Sequence, residues 1–107
     1  MSAVLPQPGT CDVRADGDRL SLRFVNDIAS LDAAQRALRA FLEGAHVDAR
    51  AEFHTELAFE ELATNVLRHA YAGRAASAHA IEAALTVAPH EIVLSVEDDG
   101  PEFDPTL

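Results

Sequence analysis

Apolar and polar residues alternate with a period of two in three short stretches of this chain: Leu20, Leu22 and Phe24; Ile81, Ala83, Leu85 and Val87; and Ile92, Leu94 and Val96. Successive side chains of a strand point to opposite faces, so each stretch predicts a strand with one face buried and one wet. Helical spacing fills the interval between the first and second strands. Asn26, Asp27 and Ser30 supply cap chemistry before Leu31, Ala34, Leu38, Phe41 and Leu42, and Gly44 offers a stop. Asp48 caps a longer helix whose Phe53, Leu57, Phe59, Leu62, Ala63, Val66, Leu67 and Ala70 cover a broad apolar arc, ending near Gly73. Pro89 and His90 then make a tight turn that joins the last two strands as a hairpin. The order strand, helix, helix, strand, strand predicts an α+β fold, with helices packed on one face of a mainly antiparallel sheet.

Residues 1–18 hold scattered charges, two prolines and two glycines without sustained periodicity, and read as an N-terminal tail ahead of a domain at 19–107. A chain of 107 residues has room for one modest core, and the large side chains must be well placed because much of the apolar fraction is alanine. With 18 acidic against 8 basic residues the formal charge is −10, which repels nucleic acid and sets DNA and RNA aside as partners. All the basic residues are arginine, which excludes the lysine of a Walker A loop and a Schiff-base lysine. Cys11 stands alone and forms no intrachain disulfide. The sequence shows no bilayer-length apolar run and no leader, so a membrane is not expected and the cytoplasm is the expected location.

Two segments carry candidate chemistry: Glu61-Leu-Ala-Thr-Asn65-Val-Leu-Arg-His69-Ala-Tyr71 on the second helix, and Val96-Glu-Asp98-Asp-Gly100-Pro-Glu-Phe103-Asp-Pro105 at the end of the last strand. On a helical wheel with Glu61 at zero, Asn65 falls near roughly 40°, Arg68 near −20° and His69 near 80°, so these polar groups share one side. Any amphipathic surface helix sends such residues to water, and that plain reading stands beside the functional one. Asn65, however, costs helix propensity in mid-helix, and its amide oxygen is a hard donor suited to Mg²⁺ carrying nucleotide phosphates. Glu61, one turn earlier, is placed to orient or deprotonate a hydroxyl nucleophile. Asp98 has the parity of Ile92, Leu94 and Val96, which aims a carboxylate at the buried side and demands donors there, such as an adenine amino group with water. Gly100 lets the backbone approach a flat base. Asp-Asp-Gly-Pro is also ordinary turn sequence, and the functional reading rests on both segments occurring in this order.

Together the two segments resemble the anti-sigma-factor type of serine kinase within the GHKL ATPase superfamily, which has the Bergerat fold. Glu61 to Tyr71 looks like its N box, with the Thr-Asn and His-Ala-Tyr elements of that branch, and Asp98 to Pro105 is similar to its G1 box with a Phe-Asp-Pro ending. The resemblance covers roughly residues 19–107 as a partial histidine kinase-like ATPase domain. It implies a two-layer α/β sandwich on a mainly antiparallel mixed sheet, with Glu61 as general base, Asn65 as Mg²⁺ ligand, and Asp98 with Gly100 as adenine contacts. Arg68 and His69 follow as phosphate or ribose contacts. It further implies ATP and Mg²⁺ as cofactors, phosphorylation of a serine or threonine on an anti-sigma antagonist protein, and a sigma factor as the second partner.

Two departures stand out. Glu102 occupies a position where many superfamily members carry a second glycine, and the family continues with an ATP lid, a glycine-rich G2 box and a closing strand that these residues do not include. Backbone N–H groups at the G2 helix would hold phosphate in a lysine-free protein, so the 107-residue chain is expected to bind ATP poorly and, with a sheet edge open, to be capable of forming a homodimer. The alternative is a non-catalytic interaction module of the same fold whose acidic surface holds a basic partner. A histidine-dependent metal hydrolase finds little support in His46, His54, His69, His79 and His90, none of which pairs with another at i, i+4 on one helix.

Overall fold

A computed structural model of the chain describes residues 5–71 and 79–98. Four strands, β1 (Asp12–Asp16), β2 (Arg19–Val25), β3 (Ala80–Val87) and β4 (Ile92–Asp98), form a sheet in the order β1-β2-β3-β4, with every neighbouring pair antiparallel. Helices α1 (Ile28–Gly44) and α2 (Ala49–Tyr71) cover one face, α1 over β2 and α2 over β4. The result is the α+β two-layer sandwich that the one-sided strands require. No helix among the described residues is long and apolar enough to cross a membrane.

Register explains the core. Leu20 pairs with Leu85 and Leu85 with Leu94; Leu22 pairs with Ala83 and Ala83 with Val96. These rows put the apolar residues of three strands under the helices, where Leu20, Leu22, Phe24, Ile81, Ala83 and Leu85 are buried. From above, α1 contributes Leu31, Ala34, Leu38 and Leu42, and α2 contributes Phe59, Ala63 and Leu67. Phe24 and Phe59 are both fully buried and meet edge to face, their centroids 6.3 Å apart, which ties α2 to the sheet.

Local chemistry sets the helix ends. Asp27 is the N-cap of α1, its carboxylate accepting from the Ser30 N–H at 2.7 Å, and Asp48 accepts from the Ala51 N–H at 2.9 Å in the first turn of α2. Asn26 plays a different part from the capping role expected of it. Fully buried, it continues the β2–β3 ladder past Val25: its N–H donates to the His79 carbonyl and its Oδ1 accepts from the His79 N–H, both at 3.0 Å. Its Nδ2 has no hydrogen-bond partner among the described residues.

Two further features differ from the sequence reading. Residues 12–16, placed there in an N-terminal tail, form β1, and the stretch before it is attached as well, with Pro6 buried and the Gly9 N–H donating to Ser30 Oγ at 2.8 Å. All five residues of β1 are exposed, so ladder bonds to β2 hold it rather than burial, and the turn is made by Gly17 at φ +62° followed by Asp18. The broad apolar arc of α2 is narrower than its residues suggest. Phe53, Leu57 and Leu62 are exposed, because among the described residues the stripe that faces the sheet and α1 is Thr55, Phe59, Ala63, Val66 and Leu67; the side chain of Ala70, part of the expected arc, lies outside them.

Candidate functional site

Turning Phe59, Ala63 and Leu67 inward fixes the rotation of α2 and thereby presents its opposite side to solvent. There Glu61, Asn65 and Arg68, with Leu57, Glu60 and Thr64, line a shallow hollow of about 390 Å³. Glu61, Asn65 and Arg68 are all exposed. The helix thus brings together a carboxylate, an amide and a guanidinium within two turns, the arrangement expected from their spacing. Arg68 also lies in the last turns of α2, where the helix dipole favours a cation.

β4 packs against the other, sheet-facing side of α2, and its direction fixes which of its residues stand level with this hollow. A hollow of about 540 Å³ is lined by the α1–α2 link (Ala45 to Asp48), by Ala51, and by the β3–β4 turn (Ala88 to Ile92). Both α2 and β4 therefore start at the same end of the domain, pack together and run the same way. The six steps from Ile92 to Asp98 advance the chain by about 20 Å at about 3.3 Å per strand residue, which a helix covers in about 13 residues. Counted from Ala51, that brings the end of β4 level with Thr64 and Asn65. By Cα register Asp98 stands opposite Ile81, in the row of Phe24. The side chains of His69 and Asp98, and all of Gly100, lie outside the described residues, although the backbones of His69 and Asp98 continue α2 and β4.

Other hollows hold less chemistry. One of about 670 Å³ is on the outer face of the sheet, where Cys11, Arg23, Glu82, Ser95 and Glu97 are among its lining residues. Arg23 and Glu82 form an ion pair there at 3.6 Å. Burial pushes the Cys11 thiol up to about 11, opposed by a backbone hydrogen bond at Arg23 and reinforced by the charge of Asp12. His46, His54 and His90 line the hollow at the start of α2, yet no group of three or more His, Cys, Asp or Glu among the described residues is arranged to hold a metal ion.

Sequence reasoning singled out Glu61, Asn65 and Arg68 but not Leu57, Glu60 and Thr64, which complete the same hollow. The signal was present in the wheel, since Leu57 and Thr64 lie at i−4 and i+3 from Glu61, and Glu60 lies at i−4 from Thr64. Over residues 24–107 the chain matches the family described as histidine kinase-like ATPase domain. No curated protein and no solved structure matches it.

Proposed function

The chain belongs to the histidine kinase-like ATPase domain family, and on that premise we propose that it takes part in ATP-dependent phosphorylation of a serine or threonine on an anti-sigma antagonist protein, as an anti-sigma-factor-type kinase that also holds a sigma factor. The observation that supports this reading is a hollow on the solvent side of α2 lined by Glu61, Asn65 and Arg68.

Each residue has a role that its chemistry suits. The Asn65 amide oxygen is a neutral hard donor on an open surface, which fits Mg²⁺, an ion that keeps several waters and takes its other oxygens from phosphate. Bound there with ATP, Mg²⁺ supplies charge neutralisation at the phosphates. Arg68 adds a cation beside the same hollow, needed in a chain whose basic residues are all arginine. Glu61 accepts the proton of the attacking hydroxyl; the hydroxyl oxygen forms the new bond to the γ-phosphorus, the bond to the bridging oxygen breaks, and ADP leaves. Asp98 accepts from the adenine amino group and Gly100 lets the base lie close, while His69 is assigned to phosphate or ribose.

Titration calorimetry with Mg-ADP tests the reading. The 107-residue chain should give weak Mg²⁺-dependent heat or none, and a longer chain that includes a G2 box should give saturable heat that Asn65→Ala abolishes. With the antagonist present, Glu61→Gln should keep nucleotide binding and lose phosphoryl transfer by about 10²- to 10⁴-fold. Absence of Mg²⁺-dependent binding by a longer chain that includes a G2 box, or an Asn65→Ala variant that binds as its parent does, overturns it.

A further inference from the structure

Beside the α2 hollow lies a second feature that nucleotide chemistry does not use. Phe53 and Leu57 are 62% and 43% exposed although both are large and apolar, and they sit one turn apart on α2. With Leu38 and Gln35 of α1 they line a groove of about 300 Å³ between the two helices on the side away from the sheet. Leu57 and Glu60 also line the hollow that holds Glu61, so the groove and that hollow adjoin along α2.

Its walls are acidic. Glu56 and Glu60 line the groove, and Glu52 and Glu43 lie beside it. Arg39 answers Glu56 with Nε and Nη2 at 3.1 and 3.0 Å from Oε1. The remaining carboxylates repel one another, and the Glu52 carboxyl is pushed up from its ordinary value by desolvation, by a hydrogen bond with Glu56 and by the charges of Glu43 and Glu56. An exposed aromatic and a leucine at i, i+4, set in a negative rim, match the apolar anchors and charged flanks of a helix laid into a helical groove. A second copy of this chain is a poor occupant, since two chains of formal charge −10 repel through such a rim.

We propose that the α1–α2 groove docks an amphipathic helix of a partner protein, apolar along one stripe and rich in arginine or lysine beside it. The groove alone carries this inference, which holds whether or not the chain binds ATP. Phe53 and Leu57 receive the apolar stripe, and Glu52 and Glu60, which Arg39 does not pair, receive the cations.

Fluorescence anisotropy with the full 107-residue chain tests it, using a labelled helical peptide of about five turns with leucines at i, i+3, i+4 and i+7 and arginines beside them. The control is a peptide of the same composition with the stripe scrambled. The patterned peptide should bind at least about tenfold more tightly than the scrambled one, and Phe53→Ser with Leu57→Ser should remove that preference. Should that pair fail to fold, Glu52→Gln with Glu60→Gln carries the test by weakening binding and flattening its salt dependence. Equal binding of the two peptides, or unchanged binding by both variant pairs, overturns the proposal. So does sedimentation showing a dimer of the chain that Phe53→Ser with Leu57→Ser dissolves, since the occupant is then a second copy.

Discussion

Phe59 is the side chain on which the placement of α2 depends most, and its truncation has a calculable cost. It is fully buried and meets the fully buried Phe24 edge to face at 6.3 Å and 61°. Phe59→Ala removes the transfer energy of a whole ring and leaves a void in a packed core, about 3–5 kcal/mol. A domain of this size has about 5–15 kcal/mol of total stability, so the variant loses between a fifth of it and all of it. Phe59→Leu keeps most of the volume and should cost about 1–1.5 kcal/mol. Combining it with Phe24→Leu isolates the ring pair, for which a coupling of about 0.5–1.5 kcal/mol is expected. Urea unfolding followed by circular dichroism measures all four corners of that cycle. A Phe59→Ala cost below about 1.5 kcal/mol at unchanged m-value would falsify the claim that this ring locks α2 onto β2, and with it the argument that core packing fixes how Glu61 and Asn65 are presented.

Three further outcomes follow from local chemistry. Cys11, raised to about 11, should react with Ellman's reagent at pH 7.5 about a hundredfold more slowly in the native chain than in urea, because its thiolate fraction falls with the shift. Glu52 has a raised pKa, so its contribution is full below the unfolded value and is lost as pH rises through the folded one; Glu52→Gln should raise the melting temperature at pH 7, and the gain should shrink toward about pH 4. Asp27→Ala deletes the carboxylate that accepts from Ser30 N–H and should cost about 0.5–2 kcal/mol, read as a lowered urea midpoint.

The sequence exposes what depends on local periodicity and hides what depends on neighbours. Strand parity located β2, β3 and β4 because each buries one face, and Asp27 and Asp48 marked both helix starts because an N-cap is written in one residue. β1 was hidden since a strand exposed at every position leaves no apolar alternation, although Asp16-Gly17 before an alternating run is a hairpin signal. Phe53, Leu57 and Leu62 read as core because a wheel shows which residues are apolar but not how much of a helix its neighbours cover. At the site, the clustering of Glu61, Asn65 and Arg68 was legible as one helical face. The ladder role of Asn26 was not, since its partner His79 is 53 residues away.

Because α2 and β4 set out from one pole and run together toward the other, the candidate site lies toward one pole and the other serves as a handle. The turn at Pro89 and His90 belongs to the handle: both residues are exposed, and the loop is closed by the Ala88 N–H donating to the Glu91 carbonyl. About 20 Å of helix and strand separate it from Asn65 and Asp98. A fluorophore, an affinity tag or a surface tether grafted at that turn leaves the opposite pole free, so nucleotide binding at Glu61, Asn65 and Arg68 can be measured on immobilised protein.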